Sequence, residues 1–451
     1  MKESQKNSRF SFENMKFLIL TLMLTLTPFL SSGKSILALA FLEMTAILLF
    51  ILETLNPSHQ GKINLFVKLF FWTIILSPLL YLIPLSSETW QQLPGRSLYL
   101  PSVEWLEANQ EQAMWLTASL VPEKTVHAIL ATLPLAAVFM VTAGLSQQKT
   151  LQVLNLLFIV AAIQACIALI QPFNPKAISL ILSDHYNTSA SQGTYLNRDH
   201  FSVLMYLLLS PAMGLIFLNF GKKNKNHPED DKKQKSINVS LILVCFVILI
   251  TVAGMASKSR MGVTLTLASL FLSLIIFSGH IGGKRTASFS ITLLIAIVSI
   301  ITMIGATPII NRFIAHDPSS DLRFKIFPIV SQGINDFFPV GSGPGTFQEA
   351  FRLYQPVDMS NFINHVHNDY LELIFEMGAV GIMIIGMMII SWLWGWTSII
   401  GSRWSKSTFI KAGSGISILM VIVHISMDFI LHTPANALIF IFLLSIFLRK
   451  E

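Results

Sequence analysis

Apolar stretches recur along almost the whole chain, near 15–31, 36–54, 64–85, 125–145, 151–171, 200–219, 238–255, 261–278, 288–306, 369–394, 413–431 and 436–448. One membrane-spanning helix takes about 20 mostly apolar residues. Twelve of them use roughly 240 positions and leave roughly 210 for loops and ends. Charge agrees with this reading: 12% of the 451 residues are charged, against about 25% in soluble domains. A water-soluble globule needs more polar surface, and a disordered chain has less apolar content. The sequence therefore predicts an all-α, polytopic integral membrane protein of about 12 transmembrane helices, one integral membrane domain over 1–451. The basic N-terminus and the run Phe17–Leu30 resemble a signal peptide but lack a small-residue cleavage site, so the run reads as a retained first span. Cys166 and Cys245 fall inside apolar runs, where a thiol acts as a small hydrophobe. Neither a disulfide nor a cysteine metal site is expected.

The formal charge of +7 alone suggests nucleic acid or anionic lipid. In a membrane protein the side on which each charge lies is more informative. With the N-terminus in the cytoplasm, the alternation of spans puts 20 of the 31 Lys and Arg on the cytoplasmic side and leaves 11 outside. Lys16, Lys62, Lys149, six lysines between 222 and 235, Arg403, Arg449 and Lys450 are among the 20. This satisfies the positive-inside rule with both termini in the cytoplasm. No internal repeat is found, and nucleic acid is not an expected partner.

Three outer segments are long enough to build structure: 86–124, 172–199 and 307–368. The first carries Trp90, Tyr99, Trp105 and Trp115 among acidic residues, a mixture suited to an interfacial helix or a sugar-stacking surface. In the third, apolar residues at 322, 326, 329, 330, 334 and 337 predict an amphipathic helix over Asp321–Phe338. It would lie on the membrane or on the bundle.

The outer basic residues run against the positive-inside rule and need a compensating reason. Arg198 stands in Asn197-Arg198-Asp199-His200, and Lys258 and Arg260 in the tight turn Ser257-Lys258-Ser259-Arg260. Arg323 and Lys325 lie on the amphipathic helix. Anion binding is one reason, since arginine makes paired, always-charged hydrogen bonds to phosphate. Snorkelling, or pairing with Asp199, Asp317 or Asp321, is the other. Beside them, His365-Val366-His367-Asn368-Asp369 precedes the tenth span. A neutral imidazole there can accept a hydroxyl proton near neutral pH. Two histidines can also bind metal, but no third ligand is evident, so no metal is expected. Asp369, Glu372 and Glu376 share one helical face; the first two suit a helix start, and the third lies deeper in the span. Gly341-Ser342-Gly343-Pro344-Gly345 lacks the Lys-Ser/Thr ending of a nucleotide loop and reads as a sharp turn. His424, Asp428 and His432 are spaced along one face of the eleventh span. An intramembrane Asp is a candidate for a proton relay or for support of the outer site.

These blocks resemble the O-antigen ligase and polymerase superfamily over roughly 150–440. His367-Asn368, nine residues, then Gly378-Ala379-Val380-Gly381 is similar to its His-Asn…Gly-x-x-Gly signature. Asn197–Phe201, Ser259-Arg260, Gly341–Phe347 and Asp428–Pro434 follow in the family's order. The resemblance implies a lipid-linked glycosyltransferase of the multi-span type, with no nucleotide, metal or other cofactor. Its donor would be an undecaprenyl-diphosphate-linked glycan at the periplasmic face of the bacterial inner membrane. The acceptor would be a glycan, either lipid A core or growing polysaccharide, or in a third branch a protein Ser or Thr. By the same resemblance His367 matches the base, and Arg198 and Arg260 match the diphosphate-binding arginines. Arg323 matches a basic position of the large loop. Asn368, His365, His200 and Asp428 are supporting residues. Lys258 is an extra charge beside the motif. The donor lipid would approach from the membrane, with the 307–368 loop closing over the glycan. A proton-coupled transporter or flippase, motivated by twelve spans with Asp428 and Glu376, is the alternative from another class. A non-catalytic scaffold of a polysaccharide machine is a third reading.

Overall fold

Polar caps mark where several of the apolar runs begin to coil. The computed structural model describes residues 2–58, 64–109, 115–174, 191–221, 230–304, 322–359, 362–402 and 404–449. Lys62, Lys222, Lys223, Lys225, Asp317, Asp321, Arg403 and Lys450 lie outside them, as do 175–190 of the segment expected to form the second outer loop. The helices of the bundle, in chain order, are α1 (Lys2–Leu26), α2 (Ile36–Leu55), α3 (Leu65–Leu80), α4 (Pro122–Gly144), α5 (Gln147–Ile170), α6 (Arg198–Gly221), α7 (Asp230–Ala256), α8 (Arg260–Ile281), α9 (Lys284–Ile304), α10 (Leu322–Phe337), α11 (Asp369–Thr397), α12 (Lys406–His424) and α13 (Pro434–Leu448). Eight of them are long and apolar enough to cross a membrane, and segments of α3, α9 and α13 are shorter apolar helices. Ser35, Asn64, Ser146, Ser259 and Asn368 each accept a backbone N–H from the first turn of the following helix. Ser405 and Thr408 form a reciprocal capping box at the start of α12. In a bilayer every backbone group must be satisfied internally, so such caps fix the ends of the spans.

At the centre stands α6, buried along its whole apolar window and packed against α5, α7, α8 and α12. Its approach to α12 is close because glycines face it. A Cβ on Gly413 would lie 2.6 Å from the Ser210 carbonyl oxygen, and one on Gly214 would lie 2.6 Å from that of Phe409. Lipid-like surroundings offer little hydrophobic drive between helices, so small residues and interhelical hydrogen bonds take over. Ser210 Oγ bonds Ser269 Oγ at 2.7 Å and Ser273 Oγ at 2.8 Å, and Ser417 Oγ donates to the Leu207 carbonyl at 2.7 Å.

The eleventh apolar run departs from its expected bounds. It coils from Lys406 to His424, and a turn then leads to a short 3-10 helix, Ile430–His432. Groups of α11 take the carbonyls that would continue it: Asp369 N–H donates to Ile425 O at 2.8 Å and Tyr370 Oη to Ile422 O at 2.7 Å. Asp428 and His432 therefore do not continue one helical face with His424, and Asp428 lies in a turn after the span.

The large loop builds a small core of its own. Ile326, Val330 and Phe337 of α10 are buried with Phe347, Phe351, Ile363 and Val366 against Phe375 of α11. The amphipathic helix thus rests on the bundle. The segment between α3 and α4 adds two three-residue strands, β1 (Pro84–Ser86) and β2 (Trp115–Thr117), paired antiparallel. Trp90 is buried beneath this pair, its indole N–H donating to Thr117 O at 2.9 Å, while Trp105 and Trp115 are exposed. Arg96 is fully buried. Its guanidinium donates to the carbonyls of Pro94, Ala118 and Gly341, so this arginine joins two loops. Burial lowers its pKa to about 10. Lys16, Lys149 and Arg449, grouped on one side by the charge count, line a single cavity of about 350 Å³.

Candidate active site

Two histidines one residue apart serve two different clusters. Asn368 caps α11 by accepting the N–H groups of Tyr370 and Leu371 at 3.0 and 3.1 Å. Just before it, His367 has a φ of 58°, the left-handed region that side chains other than glycine rarely enter. Observed strain of this kind is a pointer to function. With Val366 buried between them, His367 turns to Asp428 and His365 to Glu372.

His367 Nδ1 lies 3.0 Å from Asp428 Oδ1, which also accepts the Phe429 N–H at 2.9 Å. An ionised carboxylate can only accept, so Nδ1 carries the proton and Nε2 the lone pair. Arg323 Nη2 stands 3.9 Å from Asp428 Oδ2. Burial alone would raise the Asp428 pKa, but the His367 hydrogen bond and the charges of His200 and Arg323 hold it well below the carboxylate range. The result is a fixed anion with an oriented imidazole whose Nε2 is able to accept a proton.

Phe429 organises the surroundings. Its ring stacks on His365 at 4.3 Å and meets the rings of His367 and His200 edge-on at 4.8 and 5.0 Å. Lys34, from the turn between α1 and α2, holds its Nζ 5.3 Å from the Phe429 centroid. Burial pulls Lys34 below the ordinary lysine value, and Asp428 opposes that shift. His200 is buried, with Nδ1 2.6 Å from Thr433 Oγ1 and its carbonyl accepting from Asn436 Nδ2.

Arg198 and Arg260 are the first residues of α6 and α8. The two starts lie side by side because Gly262 has no side chain: a Cβ there would sit 2.1 Å from Ser202 Oγ. Adjacent helix N-termini, each headed by an arginine, form a region that favours anions. His200, two residues past Arg198, ties that region to Phe429 and so to His367. Lys258 occupies the preceding turn with a φ of 57°.

The second cluster gathers around His365 alone, without His367. His365 Nδ1 lies 2.8 Å from Glu372 Oε1, and His432 Nε2 lies 3.3 Å from the same oxygen. Asp369 Oδ1 is 3.0 Å from His432 Nδ1, and Glu372 Oε2 accepts the Val366 N–H at 2.9 Å. Burial lowers the His432 pKa, but Glu372 and Asp369 outweigh it and raise the value to about 9. A cavity of about 600 Å³ adjoins this cluster, lined by His365, Glu372, Glu376 and His432 together with Lys124 and His127. Glu376 also faces the turn at 341–347, accepting the Phe347 N–H at 2.9 Å. That turn uses positive φ at Gly341, Gly343 and Gly345, consistent with the sharp-turn reading.

The geometry thus joins His367, Asp428, Arg323, His200 and His365, with the helix starts bearing Arg198 and Arg260 beside them. Sequence reasoning did not single out Lys34 and Phe429. Lys34 carried a usable signal as one of the eleven outer basic residues, whereas Phe429 is one phenylalanine among 33.

Residues 245–386 match the family model described as O-antigen ligase. This segment contains Arg260, Arg323, His365 and His367, while Arg198, Asp428 and His432 fall outside it. No curated protein matches the chain. The family match supports a glycan-transferring membrane enzyme of the ligase or polymerase type, acting on lipid-linked glycan and polysaccharide.

Proposed function

With an O-antigen ligase segment spanning the helix start at Arg260 and the histidine loop, we propose that this protein moves a glycan from undecaprenyl diphosphate to an acceptor hydroxyl. The reaction takes place at the periplasmic face of the inner membrane, and both termini are cytoplasmic. The observation that carries this reading is the His367–Asp428 pair at 3.0 Å with Arg323 on the same carboxylate. An acceptor hydroxyl is a weak nucleophile until a base takes its proton. His367 Nε2 accepts that proton, and Asp428 stabilises the imidazolium that forms. The acceptor oxygen bonds to the anomeric carbon as the bond from that carbon to the diphosphate oxygen breaks. Undecaprenyl diphosphate leaves with the electron pair, and its growing charge is met by Arg198, Arg260 and Arg323. A single displacement of this kind inverts the anomeric centre. The large loop, folded on α11 through its own core, covers the glycan.

The acceptor is lipid A core for a ligase and the growing polysaccharide for a polymerase. His367→Ala and Arg260→Ala should each abolish glycan transfer while the protein still reaches the membrane. Normal glycan display in both variants would overturn the assignment. Deletion followed by glycan profiling distinguishes the acceptors: loss of all core-attached polysaccharide indicates a ligase, and single repeat units indicate a polymerase. An unglycosylated protein acceptor would indicate the protein-glycosylating branch.

A further inference from the structure

We infer that His365, Glu372 and His432 form a binding site for one divalent transition-metal ion of the zinc class, separate from the His367–Asp428 pair. The donors come from three chain segments: the loop before α11, the first turn of α11, and the 3-10 helix after α12. One nitrogen or oxygen of each lies within 4.8 Å of the others. In a tetrahedral site with bonds of about 2.0–2.1 Å, donor atoms stand roughly 3.3 Å apart. His432 Nε2 and Glu372 Oε1 already have that spacing, at 3.3 Å, and His365 Nδ1 would move outward from 2.8 Å.

The groups behind the donors also suit a metal. His432 presents Nε2 inward because Nδ1 faces Asp369 Oδ1 at 3.0 Å, the carboxylate–histidine arrangement that orients metal ligands. Glu372 presents Oε1 because Oε2 is occupied by the Val366 N–H. Charge balance points the same way. Glu372 and Glu376 are buried and Asp369 is largely so, giving three acids against two imidazoles. Among the described residues no lysine or arginine pairs with any of the three; Lys124, which lines the same cavity, pairs with Glu349 at 3.3 Å. Burying several carboxylates together is costly even with a histidine partner, and a bound dication lowers that cost. Two imidazoles and one carboxylate leave a fourth position open toward the cavity of about 600 Å³, which a water can fill. The ion would tie the histidine loop to α11 and to the Ile430–His432 turn, and so hold the strained backbone of His367. It has no part in the transfer step, so this inference stands apart from the proposed function.

The full-length protein, purified in detergent, is loaded with zinc, desalted and assayed for bound metal by mass spectrometry. About one zinc per chain is expected. Glu372→Gln and His432→Gln should each retain at least tenfold less. Asp369→Asn, which keeps every ligand, should weaken affinity about 10–100-fold. The wild-type chain loaded with cobalt(II) provides a test that needs no variant: a four-coordinate site gives visible absorption well above that of cobalt in buffer. Equal zinc in wild type and Glu372→Gln, or a cobalt spectrum matching buffer, would overturn the inference in favour of a closed hydrogen-bonded cluster.

Discussion

Replacing Asp428 with Asn keeps the shape of the group beside His367 and removes its charge. The side chain of Asp428 is 2% exposed and that of His367 32%, so solvent screens this pair only partly. With Nδ1 and Oδ1 3.0 Å apart, the centres of charge of an imidazolium and the carboxylate lie roughly 4 Å apart. At an effective dielectric constant of about 20 that attraction is worth about 4 kcal/mol. Halving it for the exposure of His367 leaves about 2 kcal/mol, or about thirtyfold in rate. The Asn amide oxygen can still accept from Nδ1, so the tautomer survives and the loss falls on charge stabilisation. Asp428→Asn should therefore lower kcat for glycan transfer about thirtyfold, with donor KM changed less than threefold. The assay is transfer of a labelled glycan from undecaprenyl diphosphate by protein in detergent or vesicles, normalised to folded protein. A rate within threefold of wild type would mean that no positive charge develops on His367 in the transition state.

Other outcomes follow from neighbouring residues. Lys34, whose ammonium stands over Phe429, offers the proposed diphosphate site a further cation: Lys34→Ala should raise donor KM about tenfold, as expected for loss of a charged hydrogen bond of about 1.5 kcal/mol, with kcat nearly unchanged; titrating the donor in the same assay separates the two. Because the Asp428 pKa is lowered in the folded protein, its ionised form stabilises the fold fully above about pH 4. The difference in Tm between wild type and Asp428→Asn should therefore be constant from pH 7 to 5 and shrink as the pH falls below about 4; a difference that grows with acid would contradict the sign. Gly378→Ala should cost at least about 3 kcal/mol, since φ is +52° and the added Cβ would lie 2.1 Å from the Pro339 carbonyl oxygen. Thermal unfolding and membrane yield would show this loss.

The spans were legible because hydropathy is a local property and the bilayer demands helices wherever it stays high. The amphipathic helix was legible for a similar reason: its apolar spacing names the face that α11 covers. The end of the eleventh span was not, because Ile425 to Leu431 remains mostly apolar. The stop comes from donors on α11, about sixty residues earlier in the chain. The histidine pair shows the same limit. Adjacency in sequence suggested joint action, yet the backbone twist at His367, set where the loop core buries Val366, sends the two rings to different acids. Sorting basic residues by side found Arg198, Arg260 and Arg323, but it weighted Arg96 equally, and that arginine spends its donors on carbonyl groups. Only the fold shows which of these cations a loop consumes.

The complete enclosure of α6 has a mechanical consequence. A helix that touches lipid on one side can tilt or roll as the bilayer thins or a substrate wedges in, whereas a shaft gripped all round cannot. Met205, Tyr206, Leu207 and Leu208 have no exposed surface, so rotation in either direction drives a side chain into a neighbour. In the proposed reaction Arg198 therefore meets the diphosphate from a fixed position, and accommodation of donors of different size has to come from other parts of the site. Bilayer thickness should accordingly alter how readily the lipid arrives and leave the position of Arg198 unchanged.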